Sequence, residues 1–179
     1  MDAVRKEDSY TIDDIYALPE GERAELIEGK IYYLSPPSFD HQRISRQLHV
    51  AITNYIDKQG GSCEALAAPF AVFLNKDDKN YFEPDISVIC DLSKIDKKGC
   101  HGAPDWVIEI VSPSSKTMDY LIKATKYMNA GVREYWIVDP EERSIAVYGF
   151  GDELSAKFYT FGEDVPVGIY PGFSIKLPL

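Results

Sequence analysis

The sequence predicts one α/β domain over residues 1–179, and three observations carry that prediction. Between residues 39 and 59 the apolar positions Ile44, Leu48, Ala51, Ile52, Tyr55 and Ile56 recur at helical spacing, with Gln42, Arg43, Arg46, Gln47 and Lys58 on the polar side. Apolar runs of strand length follow at residues 84–90, 106–111 and 134–138, bounded by turn-forming residues. A second stretch of helical spacing, residues 116–129, separates the last two runs. Such alternation of strand and helix belongs to sheets with helices packed on them.

At 179 residues, with 45% hydrophobic and 27% charged side chains, the chain can bury a sizeable core. That composition sets aside collagen-like, disordered and disulfide-scaffold classes. No run approaches the roughly 18 apolar residues of a membrane span. Residues 1–9 are charged and lack the apolar centre of a signal peptide, so a cytoplasmic protein with no membrane partner is expected. Cys63, Cys90 and Cys100 are odd in number, widely spaced and without a CxxC pair. Small buried thiols in a reducing compartment, rather than disulfides or a zinc site, are the expectation. Lys and Arg total 19 against 29 Asp and Glu, a net charge of −10. Contact with a nucleic acid must therefore be local, transient or bridged by metal ions.

In chain order, Thr11 and Asp14 form a capping-box pattern for a short helix ending near Pro19. Residues 25–34 read as two short strands about Gly29, stopped by Pro36-Pro37. Ser38 is placed to cap the long helix, Asp40 to sit in its first turn, and Gly60-Gly61 to end it. Residues 65–74 read as strand running into the turn-forming stretch 75–80, and a polar loop over residues 91–99 follows the run 84–90. Strand 106–111 closes at Ser112-Pro113-Ser114-Ser115. The helix over 116–129 is expected to point Leu121, Ile122, Thr125 and Met128 inward and to stop at Gly131. Strand 134–138 ends at Asp139-Pro140, residues 144–150 and 157–161 read as an antiparallel hairpin, and residues 173–177 as a last strand.

Glu109 stands out because it sits inside the apolar run Val107-Ile108-Glu109-Ile110-Val111. A buried carboxylate must be paired, protonated or bound to a cation, and an internal salt bridge or a strand with one wet face would also accommodate it. Asp85 opens the preceding strand, where it is either a simple strand-start residue after proline or a second carboxylate converging on Glu109. Two hard oxygens with water suit Mg²⁺ or Mn²⁺ rather than zinc, although paired carboxylates also do acid–base work. Pro104-Asp105 repeats the dipeptide, but Asp105 lies about 13 Å from Glu109 along an extended strand, too far to share a metal.

These residues carry a resemblance. Pro84-Asp85, then Glu109-Ile110-Val111, in a helix–strand–strand–strand–helix–strand order, resembles the PD-(D/E)XK nuclease superfamily. More narrowly, the chain is similar to the Uma-type family of bacterial restriction-endonuclease-like proteins. The matching segments are Glu25-Leu26-Ile27-Glu28-Gly29, His41-Gln42, Pro84-Asp85, Glu109-Ile110-Val111-Ser112-Pro113-Ser114, residues 119–123 and Gly131-Val132-Arg133-Glu134-Tyr135-Trp136-Ile137-Val138-Asp139-Pro140. The likeness runs from about Tyr10 to the end of the sequence.

The resemblance implies a restriction-endonuclease-like mixed β-sheet core flanked by helices, with added N-terminal strands and a C-terminal β-hairpin. It also implies an endonuclease hydrolysing phosphodiester bonds of nucleic acid, DNA in the first place, with Mg or Mn held by Asp85, Glu109 and the Ile110 carbonyl. The superfamily lysine, two residues after the glutamate, is replaced here by Val111; the family moves it to the next helix, where Lys123 matches and Lys126 comes next. Read from the residues alone, Lys123 and Asp119 are a surface i,i+4 ion pair. Glu25, also in the catalytic set, matches an N-terminal acidic position of the family that would complete the metal sphere from a neighbouring element, with Glu28 its local rival. His41 and Arg43 are phosphate-contact candidates; otherwise His41 caps or packs, and Arg43 and Arg46 belong to a solvated face. Tyr127, Tyr135 and Trp136 read as packing. The aromatic residues Tyr148, Phe150, Phe158, Tyr159 and Phe161 of the C-terminal hairpin are either core or the surface of a homodimer. Two other classes stay open: a catalytically silent nuclease-fold binding or scaffold protein, and a metal-dependent hydrolase of another substrate.

Overall fold

Asp14 closes the capping box on Thr11, its carboxylate accepting the Thr11 N–H at 2.7 Å and the hydroxyl at 3.0 Å, and α1 (Ile12–Tyr16) follows. This computed structural model describes residues 9–112, 115–151 and 153–178. The charged segment 1–8 and the Pro113-Ser114 part of the expected strand stop lie outside the described residues. Strands β1 (Ala24–Ile27) and β2 (Lys30–Tyr33) meet at Glu28-Gly29, whose φ angles of 52° and 75° are those of a tight two-residue hairpin turn. Helix α2 (Phe39–Gln59) starts where the Ser38 hydroxyl accepts the His41 N–H at 3.2 Å, and ends at left-handed Gly60.

Strands β3 (Glu64–Ala67), β4 (Val72–Phe73), β5 (Ile86–Ile89), β6 (Cys100–His101) and β7 (Trp106–Ile110) come next. A π-helical segment, Met118–Lys123, runs into α3 (Ala124–Ala130), which stops at left-handed Gly131. The chain continues through β8 (Glu134–Asp139), β9 (Ser144–Phe150), β10 (Leu154–Thr160), β11 (Val165–Pro166) and β12 (Ser174–Ile175). The central sheet has six strands in the order β10-β9-β8-β7-β5-β3. Only β7 and β8 pair in parallel within it, joined by the helical crossover. Among the described residues three two-stranded pairs, β1-β2, β4-β6 and β11-β12, lie outside it.

The two-residue period of β7 divides the core. Trp106, Ile108 and Ile110 pack with Ile44, Leu48, Ile52 and Ile56 of α2 and with C-terminal residues such as Val165 and Ile175. Val107 joins Tyr135, Ile137 and Tyr127 on the opposite face, under Phe82 and Val72. Glu109 shares that second face by alternation, so the odd carboxylate of the apolar run is aimed at the helix of the crossover.

Four expectations need correction. Residues 65–74 do not form one strand: the Ala68 N–H bonds the Asp85 carbonyl at 3.0 Å, the Ala68-Pro69 bond is cis, and β4 then pairs with β6. Cys63 and Cys90 form a disulfide, leaving only Cys100 as a buried free thiol. Sequence spacing hid this pair, because it is the β3–β5 register, Glu64 opposite Ile89, that brings the flanking cysteines together. The crossover helix is turned over: Leu121 is 64% and Ile122 38% exposed, while Asp119, Lys123 and Tyr127 are buried. At the C-terminus the hairpin's second strand begins at Leu154 and the last strand is only Ser174–Ile175. Phe161 of the aromatic group is core, whereas Phe158 is exposed. Among the described residues no helix is long and apolar enough to cross a membrane.

Gly99 has φ +146°, and a Cβ there would come 2.3 Å from the Ala71 carbonyl oxygen. That oxygen already accepts the Cys100 N–H at 2.9 Å, where β6 begins. Gly99→Ala is therefore expected to destabilise the chain by about 2 kcal/mol or more in chemical denaturation. Gly60→Ala is the control for a left-handed backbone without a clash, expected to cost about 1 kcal/mol, since a Cβ at Gly60 (φ 63°) meets nothing within 4 Å.

Candidate active site

The antiparallel register of β5 and β7 pairs Ile86 with Ile108 and Ser87 with Val107. Continued by one residue, it sets Asp85 opposite Glu109 on the same face. Asp85 accepts the Ile110 N–H at 2.7 Å and the ring Nε2 of His41 at 3.1 Å through one oxygen, Oδ2. His41 reaches it because Ser38 fixes the start of α2, placing the imidazole in the first turn. Asp105 is elsewhere, accepting the Cys90 N–H at 2.8 Å and pairing with Arg133 at 3.2 Å.

Glu25 arrives from β1, outside the central sheet. Leu26 and Tyr81 exchange backbone hydrogen bonds of 2.8 Å, and the Glu83 N–H donates to Glu25 Oε1 at 3.0 Å. Glu83 is itself anchored by Tyr81 Oη at 2.7 Å and Arg23 Nε at 2.8 Å. The rival Glu28 sits at the hairpin turn, exposed, where it pairs with Lys126. Lys126 is thus occupied outside the cluster.

Lys123 is at the centre, only 5% exposed. Its Nζ lies 2.8 Å from Glu25 Oε2, 3.0 Å from Glu109 Oε1 and 3.4 Å from Asp119 Oδ1. The i,i+4 pair with Asp119 is therefore real but buried. Tyr127, one further turn along, donates its hydroxyl to Glu109 Oε1 at 2.8 Å. Tyr135 donates to the Asp119 carbonyl at 3.1 Å, holding the π-helical segment on β8. Sequence reasoning missed Asp119 and Tyr127 as members of this cluster. The available signal was the i, i+4, i+8 stripe Asp119-Lys123-Tyr127, which reads as surface until the helix's apolar side chains are known to face outward.

Among the described residues four carboxyl groups, Glu25, Asp85, Glu109 and Asp119, gather around one ammonium and one imidazole. Burial, opposed by Lys123 and reinforced by Asp119, Glu25 and Asp85, pushes the Glu109 carboxyl well above its ordinary range. Asp119 is raised too, chiefly by burial, against the pull of Lys123 and a hydrogen bond from Ser115. For Lys123, burial favours the neutral amine, but Glu109, Glu25 and Asp119 outweigh it and hold the ammonium charged. Burial would also lower His41; its hydrogen bond and charge contact with Asp85 reverse this and raise it. Arg43 is turned away from the cluster, pairing with Asp40 at 3.0 Å and lying 5.9 Å over the Phe39 ring.

Among the described residues no three His, Cys, Asp or Glu side chains converge in a metal-holding group. The set implied by the sequence pattern is smaller: Asp85, Glu109 and the Ile110 carbonyl. Its chemistry fits a hard divalent cation, since all three donors are oxygens and the cluster sets four carboxyl groups against Lys123 and His41. The buried Nδ1 of His41 has no hydrogen-bond partner among the described residues, leaving the imidazole a further polar atom at this end of the site.

The chain matches the model of the Uma2 family, described as "Putative restriction endonuclease", over residues 12–178. A protein of Synechocystis sp. (strain ATCC 27184 / PCC 6803 / Kazusa), described as uncharacterized, is 29% identical over 133 residues, 74% of this chain and 68% of that protein. A crystal structure titled as a putative nuclease belonging to DUF820, from Anabaena variabilis, aligns with a TM-score of 0.70 at 26% identity and covers 89% of both chains. The mixed sheet with its flanking helices and added antiparallel strands is accordingly a restriction-endonuclease-like fold, and the matches support a nuclease-like function. By a match that spans all of its elements from α1 to β12, this chain belongs to the Uma2 family.

Proposed function

We propose that this chain is an Mg²⁺- or Mn²⁺-dependent endonuclease of one domain that hydrolyses phosphodiester bonds, with DNA as its substrate. The observation that carries the reading is the carboxyl-rich cluster itself, in which a buried lysine from the crossover helix reaches Glu109. This contact supplies, from another element, the cation that Val111 does not provide.

Asp85, Glu109 and the Ile110 carbonyl would hold the divalent ion, which when bound lowers the pKa of water and offsets phosphate charge. Glu25 and Asp119 keep the Lys123 ammonium in place. From there Lys123 orients the attacking water and opposes the negative charge that grows on the phosphate. Tyr127 fixes one oxygen of Glu109, and His41 fixes Asp85 through Nε2. Arg43, paired with Asp40, has a lesser part, that of a backbone contact at the start of α2. A chain of net charge −10 binds DNA through this local chemistry, so its affinity should be modest and should fall with salt.

The test is cleavage of duplex, single-stranded and branched DNA and of RNA, with Mg²⁺, Mn²⁺ or EDTA, by the parent chain and by Asp85→Asn. Metal-dependent DNA cleavage that disappears in Asp85→Asn is the expected result. Cleavage confined to RNA would correct the substrate. Failure to cleave any substrate, together with no thermal stabilisation by either metal ion, would leave the silent scaffold as the better reading.

A further inference from the structure

The two edges of the central sheet differ. Strand β3 has four residues and is followed at once by the cis Ala68-Pro69 bond. Strand β10 has seven, keeps unbroken register with β9 from Leu154–Phe150 to Thr160–Ser144, and contains no proline. Among the described residues its other side pairs with nothing. Free edges in soluble proteins are normally blunted by shortness, proline, bulges or several charges. Here Lys157 is the only charge within the strand.

The edge is also apolar on one face. Cross-strand partners run Glu109–Ile137, Ile137–Ala146 and Ala146–Phe158, so Phe158 lies on the face that carries the candidate site. Tyr127 covers that face at β8, its ring 5.0 Å from that of Tyr135. Beyond it Leu154 and Phe158 stand 69% and 70% exposed.

We infer that β10 pairs antiparallel with β10 of a second copy of this chain, about a two-fold axis at Ala156, making one sheet continuous across both copies. A strand that pairs antiparallel with itself is necessarily two-fold, which closes the assembly at a dimer. About this axis Leu154 faces the second copy's Phe158, Ser155 faces its Lys157, and Ala156 faces Ala156. Apolar side chains thus meet apolar ones, and no two like charges are opposed. Glu153, just before the strand, falls diagonal to Lys157 of the second copy and adds charge complementarity. A shift of the axis to Lys157 would oppose the two lysines. The occupant is therefore another copy rather than an arbitrary extended peptide, because the strand is complementary to its own reverse. The dimer does not depend on whether the carboxylate cluster cleaves anything.

Sedimentation of the full chain over a concentration series tests this, with circular dichroism confirming that each variant is folded. The parent should dimerise. Phe158→Glu should raise the dimer dissociation constant about tenfold or more, since symmetry counts the altered pair twice. Adding Leu154→Lys to the same chain sets opposite charges across the pair and should restore association to within about threefold. Under oxidising conditions Ala156→Cys should form a reducible covalent dimer, and Ser155→Cys, which does not face itself, should not. A parent that stays monomeric to roughly 100 µM overturns the proposal, as does a dimer indifferent to Phe158→Glu and uncoupled by Ala156→Cys.

Discussion

Lys123→Met will lower the stability of the metal-free chain by about 3–5 kcal/mol, roughly 10 °C in Tm. The substitution keeps the length of the side chain but withdraws the one ammonium shared by Glu25, Glu109 and Asp119. Removing one partner from a buried ionic group is costly because the charges left behind are neither solvated nor paired. The loss should depend on pH with a definite sign. Glu109 already titrates well above the ordinary carboxylate range, through burial and its acidic neighbours, with Lys123 opposing. Without Lys123 its pKa rises further, so the folded state holds protons that the unfolded state has released. Stability then falls as pH rises above the ordinary carboxylate range, and recovers on acidification until the unfolded carboxylates are protonated too. Denaturant titrations across pH check this. Lys126→Met, which removes only the exposed contact with Glu28, should leave the midpoint where it is. Equal loss in both variants would show that the buried ammonium has no special role.

Glu109→Gln will separate the chemistry from the fold. Metal-dependent cleavage should fall by about a thousandfold or more, since the neutral amide neither binds a hard cation strongly nor offsets its charge. The same change should leave the thermal transition equal or higher. It removes a carboxylate that burial opposes, keeps an oxygen for the Tyr127 hydroxyl, and leaves Lys123 with Glu25 and Asp119. Stabilisation of the parent by Mn²⁺ should disappear in parallel with activity. Cleavage that persists in a well-folded Glu109→Gln variant would place the chemistry elsewhere on the chain.

How much of this was legible beforehand depended on which force set each element. Helix α2 could be read to its ends because Ile44, Leu48, Ile52 and Ile56 face the core while Ser38 and Gly60 punctuate it. The hairpin turn at Gly29 and strands β5, β7 and β8 were equally open, being apolar runs between breakers. The crossover helix was misread because hydropathy sends Leu121 and Ile122 inward, whereas the carboxylates on β1 and β7 draw Lys123 in instead. A rule based on one helix's own side chains cannot see a partner 98 residues away. Tyr127 failed for a related reason: its ring packs as expected, but its hydroxyl belongs to the polar cluster. The Cys63–Cys90 bond followed register, a property of paired strands.

Glu25 comes from a hairpin that is hydrogen-bonded to Tyr81 rather than to the central sheet, so the cluster spans two separately built units. A local opening that lifts β1 and β2 while all six central strands remain paired would take Glu25 away from Lys123. The amide protons of the hairpin and the assembled cluster therefore share one opening equilibrium. Whatever stabilises the cluster slows solvent exchange in β1, at a strand it need not touch.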